Sequence, residues 1–333
     1  MAVMEAVWRR SQDEGGEIPV QYRRLGRSGL KVSEISLGSW LTYGGYVEQE
    51  RSANAIRKAY ELGINHFDTA NVYHQGAAEQ VMGAVLKDFE RSSYVLATKV
   101  FWPMGEGPND RGLSRKHVME QLHASLARLG ADYVDIYYCH RFDPETPVDE
   151  TMRAFDDLVR QGKVLYIGVS EWTAAQMAEA LGAADRYLLD RIVVNQPQYN
   201  LFHRVIEKEI IPLGEAQGIG QIVWSPLAQG LLAGKYDSPD NIPADSRAAQ
   251  VESLRKRITQ EKLDQVKQLA ALAREHGLTT GQLALAWTLR HRNVASALVG
   301  ASRPEQVEEN VQAAGVKLSD DTLAAIERIV GGE

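Results

Sequence analysis

Three short β-like runs of this chain end on groups able to move a proton. Ile-Asn-His-Phe leads into Asp68, with Tyr73 in the segment that follows; Val-Leu-Ala-Thr leads into Lys99; Val-Asp-Ile-Tyr-Tyr-Cys leads into His140. Taken singly, each residue has an ordinary structural explanation: a turn aspartate before Thr69, a solvated strand-end lysine, a loop aromatic, a hydrogen-bonded histidine. Taken together, a carboxylate, an ammonium, a phenol and an imidazole at equivalent ends of successive strands form a proton-transfer set. Carbonyl reduction needs such a set, because carbon receives a hydride and the developing alkoxide a proton. Tyr73 is the expected donor. A neighbouring Lys99 ammonium is expected to make this phenol more acidic. At about 4 Å and an effective dielectric of about 20, the attraction is on the order of 4 kcal/mol before desolvation, which caps the lowering of the pKa at about three. Asp68 would keep Lys99 charged and in place, and His140 would donate a hydrogen bond to the carbonyl oxygen.

These side chains can meet only if their strands share one end. From about Glu34 onward, short β-branched or aromatic runs alternate with helical patterns, which predicts repeated βα units around a parallel sheet. The runs are Glu34 to Leu37, Asn65 to Phe67, Tyr94 to Ala97, Tyr133 to Tyr138, Val164 to Gly168, Ile192 to Val194, Gly220 to Trp224 and Ala297 to Val299, eight in all. Eight units predict the α/β class: a (β/α)8 TIM barrel with a long loop after strand seven and C-terminal helices, in preference to an open doubly wound sheet. No Gly-x-Gly-x-x-Gly follows the first strand, and Gly218-Ile219-Gly220 reads as a turn. The two-residue period of a strand places Val95, Ala97 and Lys99 on one side, and likewise Val134, Ile136, Tyr138 and His140. Between strands, Ser114 to Leu129 repeats Val118, Leu122, Ser125, Leu126 and Leu129 at helical spacing. The irregular stretch from about Leu227 to Arg257 is long enough to suggest a functional loop.

With 333 residues, 44% hydrophobic and 24% charged, the chain has the composition of a globular protein. Its 37 basic and 44 acidic residues give a net charge of −7 with no long run of one sign, which argues against a nucleic-acid partner. One cysteine, Cys139, excludes an intrachain disulfide framework, and the cytoplasm is the expected compartment. The first twenty residues are charged, lack the apolar core of a secretory signal, and are expected to be a flexible tail before one domain covering residues 21–333. No uncharged apolar stretch is long enough for a membrane helix. The eight histidines form no His-Glu-x-x-His, and no metal is expected. Trp40, Tyr43, Tyr46, Phe101 and Trp102 follow strands one and three. They are expected to wall a substrate mouth suited to small aldehydes and ketones, with Trp40, Tyr73, Phe101, Trp102 and His140 forming the pocket.

The chain resembles the aldo-keto reductases, particularly the branch that includes potassium-channel β-subunits and related bacterial reductases. The marks, between about Tyr22 and Ile329, are Phe-Asp-Thr-Ala-Asn-Val-Tyr ending at Tyr73, Ala-Thr-Lys ending at Lys99, Gly-Leu-Ser-Arg-Lys-His ending at His117, Tyr-Val-Asp-Ile-Tyr before His140, Trp-Ser-Pro-Leu-Ala from Trp224, Gly-Lys-Tyr from Gly234 and Leu-Val-Gly-Ala-Ser ending at Ser302. The resemblance implies an Asp68, Tyr73, Lys99 and His140 tetrad and NADPH bound without a Rossmann fold. It implies nicotinamide stacking on Trp224 and carboxamide contacts from Ser170 and Gln196, with Ser39 and Trp40 nearby. The pyrophosphate would lie against Ser225, Leu227, Gly230, Lys235 and Arg247. Gly300, Ser302 and Arg303 would hold the 2′-phosphate, and Gln306, Glu309 and Asn310 the adenosine. Ser302-Arg303-Pro304-Glu305 begins the last predicted helix, and Ser302 reads equally as its capping residue.

Two departures matter. Many family members carry Asn after the strand-five serine, where this chain has Glu171, which puts that carboxamide contact in question. Channel-associated members carry Asn where this chain has His140, which favours turnover. Two rivals stay open: a non-catalytic, NADPH-sensing subunit, and a lyase forming a Schiff base on Lys99. Members of the branch are often ring-like, so a homo-oligomer is compatible with the sequence.

Overall fold

The computed structural model describes residues 20–40, 43–45, 48–236, 238, 255 and 257–331. A hairpin of β1 (Tyr22–Arg24) and β2 (Lys31–Ser33) comes first, followed by β3 (Ile35–Gly38) and α1 (Gln49–Glu61). Then come β4 (His66–Asp68), α2 (Ala77–Leu86), β5 (Val95–Val100), α3 (Arg115–Leu129), β6 (Val134–Cys139) and α4 (Val148–Arg160). The second half holds β7 (Val164–Ser170), α5 (Ala174–Tyr187), β8 (Ile192–Gln196), α6 (Ile210–Gln217) and β9 (Gly220–Trp224). The chain continues through α7 (Gln260–Glu275), α8 (Thr280–Thr288), β10 (Val294–Val299), α9 (Pro304–Val311) and α10 (Asp320–Val330).

Strands β3 to β10 pair in parallel in chain order, and β10 pairs with β3 to close the cylinder. This is the predicted (β/α)8 TIM barrel. Several strands run further than their β-branched runs suggest: β5 continues past Ala97 to Val100, so Lys99 lies within a strand rather than after it. Likewise β7 and β8 extend to Ser170 and Gln196. Polar ends of this kind carry no strand signal of their own; pairing with neighbours such as Lys99 opposite Tyr138 holds them extended.

The pleat sorts the core into two. Outward residues such as Leu37, Phe67, Leu96 and Tyr137 pack against the helices, where Val118, Leu122 and Phe155 meet them. Inward residues Val95, Ala97, Ile136, Tyr138, Val194, Ile222 and Leu298 fill the lumen. Val134, assigned inward by strict alternation, packs instead with the outer core at the start of β6. In β7 a side chain at Gly168 would run into the Tyr138 ring, so glycine here makes room for an aromatic that spans the lumen. Ser114 caps α3 by accepting from the His117 N–H at 3.3 Å, and the predicted apolar stripe of that helix is buried.

The hairpin was not evident in the sequence. Leu25 and Val32, both fully buried, join the lumen cluster and stopper the barrel at its amino-terminal end. Arg23 ties this hairpin to the last strand, donating to the carbonyls of Leu289 at 2.7 Å and Val294 at 2.9 Å and to Glu34 at 2.6 Å. At the other end, the helix opened by Pro304 is not the last, because α10 follows it.

A polar thread runs along one side of the lumen, across the neighbouring strands β4, β3 and β10: His66 Nδ1 lies 2.9 Å from Ser36 Oγ, which bonds Ser296 Oγ in turn. Burial holds the His66 pKa down at about 4, against the pull of Asp68 and with the help of Lys99. The unfolded chain, where histidine titrates near 6.5, therefore binds the extra proton first, and stability falls as pH drops from about 6.5 toward 4. His66 alone contributes on the order of 3 kcal/mol to that loss. Urea unfolding between pH 7 and 4.5 should show a shallower decline for His66→Asn, which preserves the bond to Ser36; an unchanged slope would remove His66 as its source.

Candidate functional site

At the carboxyl end of the barrel, Asp68 ends β4, Lys99 stands near the end of β5 and His140 directly follows β6. Backbone bonds carry the chain over the rim: Thr69 N–H donates to the Ala97 carbonyl at 3.0 Å, and His140 N–H to that of Val100 at 2.9 Å. Tyr73 opens a tight turn in which His74, Gln75 and Gly76 all take left-handed backbone angles, at φ 48°, 53° and 90°. Such a run is uncommon for side-chain-bearing residues and reverses the chain within one turn.

Lys99 is fully buried, donating to Asp68 Oδ1 and, at 2.8 Å, to the Thr69 carbonyl. Asp68 Oδ2 accepts from Gln196 Nε2 at 2.9 Å, so both carboxylate oxygens are held. The Lys99 ammonium lies 5.0 Å from the centre of the Tyr73 ring, which meets the His140 ring edge-on at 5.6 Å. The four expected residues are thus brought together.

Their electrostatics differ from expectation at Tyr73. Burial pushes this phenol well above its ordinary pKa, Asp68 pushes it further, and Arg141 only partly opposes them. The expected acidification by Lys99 does not set this phenol: burial, reinforced by Asp68, outweighs the neighbouring cations. Burial also lowers the pKa of Lys99 against the pull of Asp68. His140 is driven well below the ordinary histidine range by burial, then by Lys99 and Arg141, and its imidazole is neutral at physiological pH.

A cavity of about 1190 Å³ opens above the tetrad. Asp68, Tyr73 and His140 line it, whereas Lys99 lies beneath. Of the residues expected to hold a cofactor, Trp40, Ser170, Gln196, Trp224, Ser225, Leu227, Gly230 and Lys235 reach this cavity. So do Gly300, Ser302, Arg303, Gln306, Glu309 and Asn310. Ser39 does not: it is buried behind Trp40, and its backbone holds the loop by bonding Asp68 and Tyr43. Arg247 and Tyr46 lie outside the described residues, as do most of the tail and much of the loop after β9. Among the expected pocket aromatics, Trp102 lines the cavity, whereas Phe101 packs edge-on against Trp102 and the outer core. Tyr43 is wholly buried in that core.

The cavity wall fits a dinucleotide. After β9, Ser225, Ala228 and Gln229 adopt left-handed angles together with Gly230, and the Ser225 hydroxyl is buried without a hydrogen-bond partner among the described residues. Ser170 Oγ donates to the Gln196 carbonyl at 2.8 Å and Gln196 Nε2 donates one hydrogen to Asp68, so the Ser170 oxygen and the Gln196 side-chain oxygen keep acceptor capacity for a carboxamide NH2 group. Ser302 does not act as the helix cap. Arg303 occupies that position with Pro304 next, and the Ser302 N–H and hydroxyl both bond Gln306 Oε1, at 2.8 and 3.1 Å. Sequence reasoning overlooked Arg141, His74, Glu48 and Arg51, which also line the cavity. Arg141 follows the tetrad histidine directly, and that adjacency was the available signal.

The aldo/keto reductase family model matches residues 34–330. The chain belongs to the aldo/keto reductase family. Among curated members, it is 47% identical over 324 residues to a putative voltage-gated potassium channel subunit beta of Schizosaccharomyces pombe, covering 93% of each chain. Probable voltage-gated potassium channel subunits beta of Arabidopsis thaliana and of Oryza sativa subsp. japonica are each 44% identical over 319 residues, covering 93% of this chain and 97% of theirs. Aldo/keto reductases generally use NAD(P)H, and the oxidoreductase chemistry of the family is the frame in which the cavity is to be understood. Among the described residues, no cluster of His, Cys, Asp or Glu is arranged to hold a metal, and no helix is long and apolar enough to cross a membrane.

Glu171, which does not itself line the cavity, has a defined place beside it. It takes a left-handed φ of 59°, and its Oε1 accepts from Trp224 Nε1 at 2.8 Å and from the Gln198 N–H at 2.6 Å. The carboxylate thus anchors the indole, whose ring meets Trp40 edge-on at 5.8 Å. If the indole carries the nicotinamide, as the family resemblance implies, Glu171→Ala frees the indole N–H and should weaken cofactor binding by about tenfold or more, the worth of one hydrogen bond to a charged group. Titration of tryptophan quenching checks this; an unaltered dissociation constant would mean that Trp224 orients itself.

Proposed function

We propose that this chain reduces small aldehydes and ketones to alcohols with NADPH, with Tyr73 as general acid, Lys99 and Asp68 supporting it and His140 orienting the carbonyl. One observation carries the reading: Asp68, Tyr73 and His140, with Lys99 beneath them, share one cavity with the Ser, Gly, Lys and Arg lining expected for the dinucleotide. Bound NADPH would supply the hydride. The residues supply the rest. Because the pKa of Tyr73 is raised, its phenol holds its proton across the physiological range and gives it up only to a base as strong as the developing alkoxide. Neutral His140 keeps one N–H for the carbonyl oxygen. Buried Lys99, with donors committed to Asp68 and Thr69, is poorly placed to attack a carbonyl, which speaks against the Schiff-base lyase. Ser302 and Arg303, expected at the 2′-phosphate, favour NADPH over NADH by offering hydrogen bonds and charge to that group.

A second reading follows from the names of the relatives: a cofactor-sensing channel subunit in which NADPH occupancy matters and turnover does not. NADPH oxidation against a panel of small aldehydes separates the two. Aldehyde-dependent loss of NADPH absorbance supports reduction, and tryptophan quenching without that loss supports sensing.

Tyr73→Phe should retain NADPH binding while losing turnover about 10²- to 10⁴-fold; undiminished turnover would end its role as donor. The pH profile provides a separate check. With the Tyr73 phenol raised, kcat should not fall on the alkaline side until above about pH 10. With the His140 pKa lowered, no acid limb should appear near about pH 6.5.

A further inference from the structure

We propose that the carbonyl compound reduced here carries an oxyanion, carboxylate or phosphate, and that the Arg141 guanidinium binds it. The inference rests on the reductase reading above and names the substrate class of the same site.

Arg141 lines the cavity beside the proton donor, not beside the expected phosphate groups of the cofactor. Its guanidinium carbon lies 5.7 Å from the centre of the Trp102 ring. That ring lies 6.4 Å from His140, which in turn meets Tyr73 at 5.6 Å. A chain of three rings therefore leads from the cation to the phenol. Lys235, Ser302 and Arg303, by contrast, follow β9 and β10 on another part of the wall.

The guanidinium is held but not neutralised. Arg141 Nη1 donates to the carbonyl of His140 at 2.6 Å, which fixes the fork. Among the described residues, no carboxylate lies within 4.0 Å of it. Other lining arginines do have acidic neighbours: Arg51 lies 3.7 Å from Glu48 and Arg303 3.7 Å from Glu305. An arginine has five N–H donors in a planar fork matched to carboxylate or phosphate, and a half-buried fork with donors to spare is completed by an anion. Its field reaches Tyr73, Lys99 and His140 together, which places the charge close to the reacting centre. A neutral carbonyl compound would leave this cation without a counter-ion, so the site discriminates by an unmet partner as well as by a satisfied one.

The test compares 4-carboxybenzaldehyde and 4-formylphenyl phosphate with the neutral isostere 4-formylbenzamide, using NADPH and the full chain. At least one anion should exceed the amide in kcat/KM by about tenfold or more, mainly through KM, as a charge-assisted hydrogen bond predicts. Whichever anion leads identifies the headgroup. Arg141→Gln should bring the ratio to about one, and Arg141→Lys, which keeps the charge but loses the fork, should retain part of it. A wild-type ratio of one or less, or an anion preference that survives Arg141→Gln, overturns the proposal. If none of the three aldehydes oxidises NADPH, the reductase reading is the one that fails. Calorimetric titration of the same compounds into NADPH-loaded protein then decides the inference independently: tighter anion binding lost in Arg141→Gln supports it, and equal affinities overturn it.

Discussion

The ion pair of Lys99 and Asp68, with both side chains at most 1% exposed at the top of the lumen, is the constraint on which the site depends. Removing two charges from water costs several kcal/mol per ion, and their attraction offsets this only with good geometry and further hydrogen bonds. Both conditions are met locally, because Gln196 takes the second carboxylate oxygen and the Thr69 carbonyl takes another lysine hydrogen. Three strands and a loop are thereby joined at one point. Beside this pair, burial of Tyr73 and His140, more than any single charge, sets their protonation.

The acid–base consequence reverses a common intuition. A lysine beside a tyrosine suggests a more acidic phenol, yet here burial and the Asp68 carboxylate prevail. Burial then favours the uncharged form of every group in turn: phenol over phenolate, imidazole over imidazolium. The result is a neutral donor and a neutral hydrogen-bonding partner above a neutralised pair. On the proposed reductase reading, such a site would deliver a proton where negative charge develops and not lose it beforehand to solvent.

Much of this was legible in the sequence because the fold repeats. Eight β-branched runs between amphipathic segments predict a barrel, and in a barrel the strand ends converge, so four residues scattered between Asp68 and His140 become neighbours. The terminal portions of the strands were hidden, since residues such as Lys99 and Gln196 have no strand preference and are held extended by cross-strand pairing. The hairpin was hidden for a similar reason: three-residue strands leave hardly any period to detect. Residue types alone suggested aromatic walls from Tyr43 and Phe101, but both point away from the cavity. Alternation and hydrophobicity say that an aromatic is covered, not by what. Glu171 was noticed as an anomaly, yet its bond to the indole required a sheet-spanning contact across 53 positions of the chain, which no local pattern encodes.

The seam between β10 and β3 bears on how the molecule comes into being. The first and last staves pair directly, and Arg23 clamps that junction to carbonyls as many as 271 positions away. Without Val294–Val299 the cylinder cannot shut, because β3 and β9 would each be left with an unpaired edge. The chamber over the tetrad thus needs its eighth stave, and a chain broken off before that stave has every tetrad residue but no vessel to hold them in.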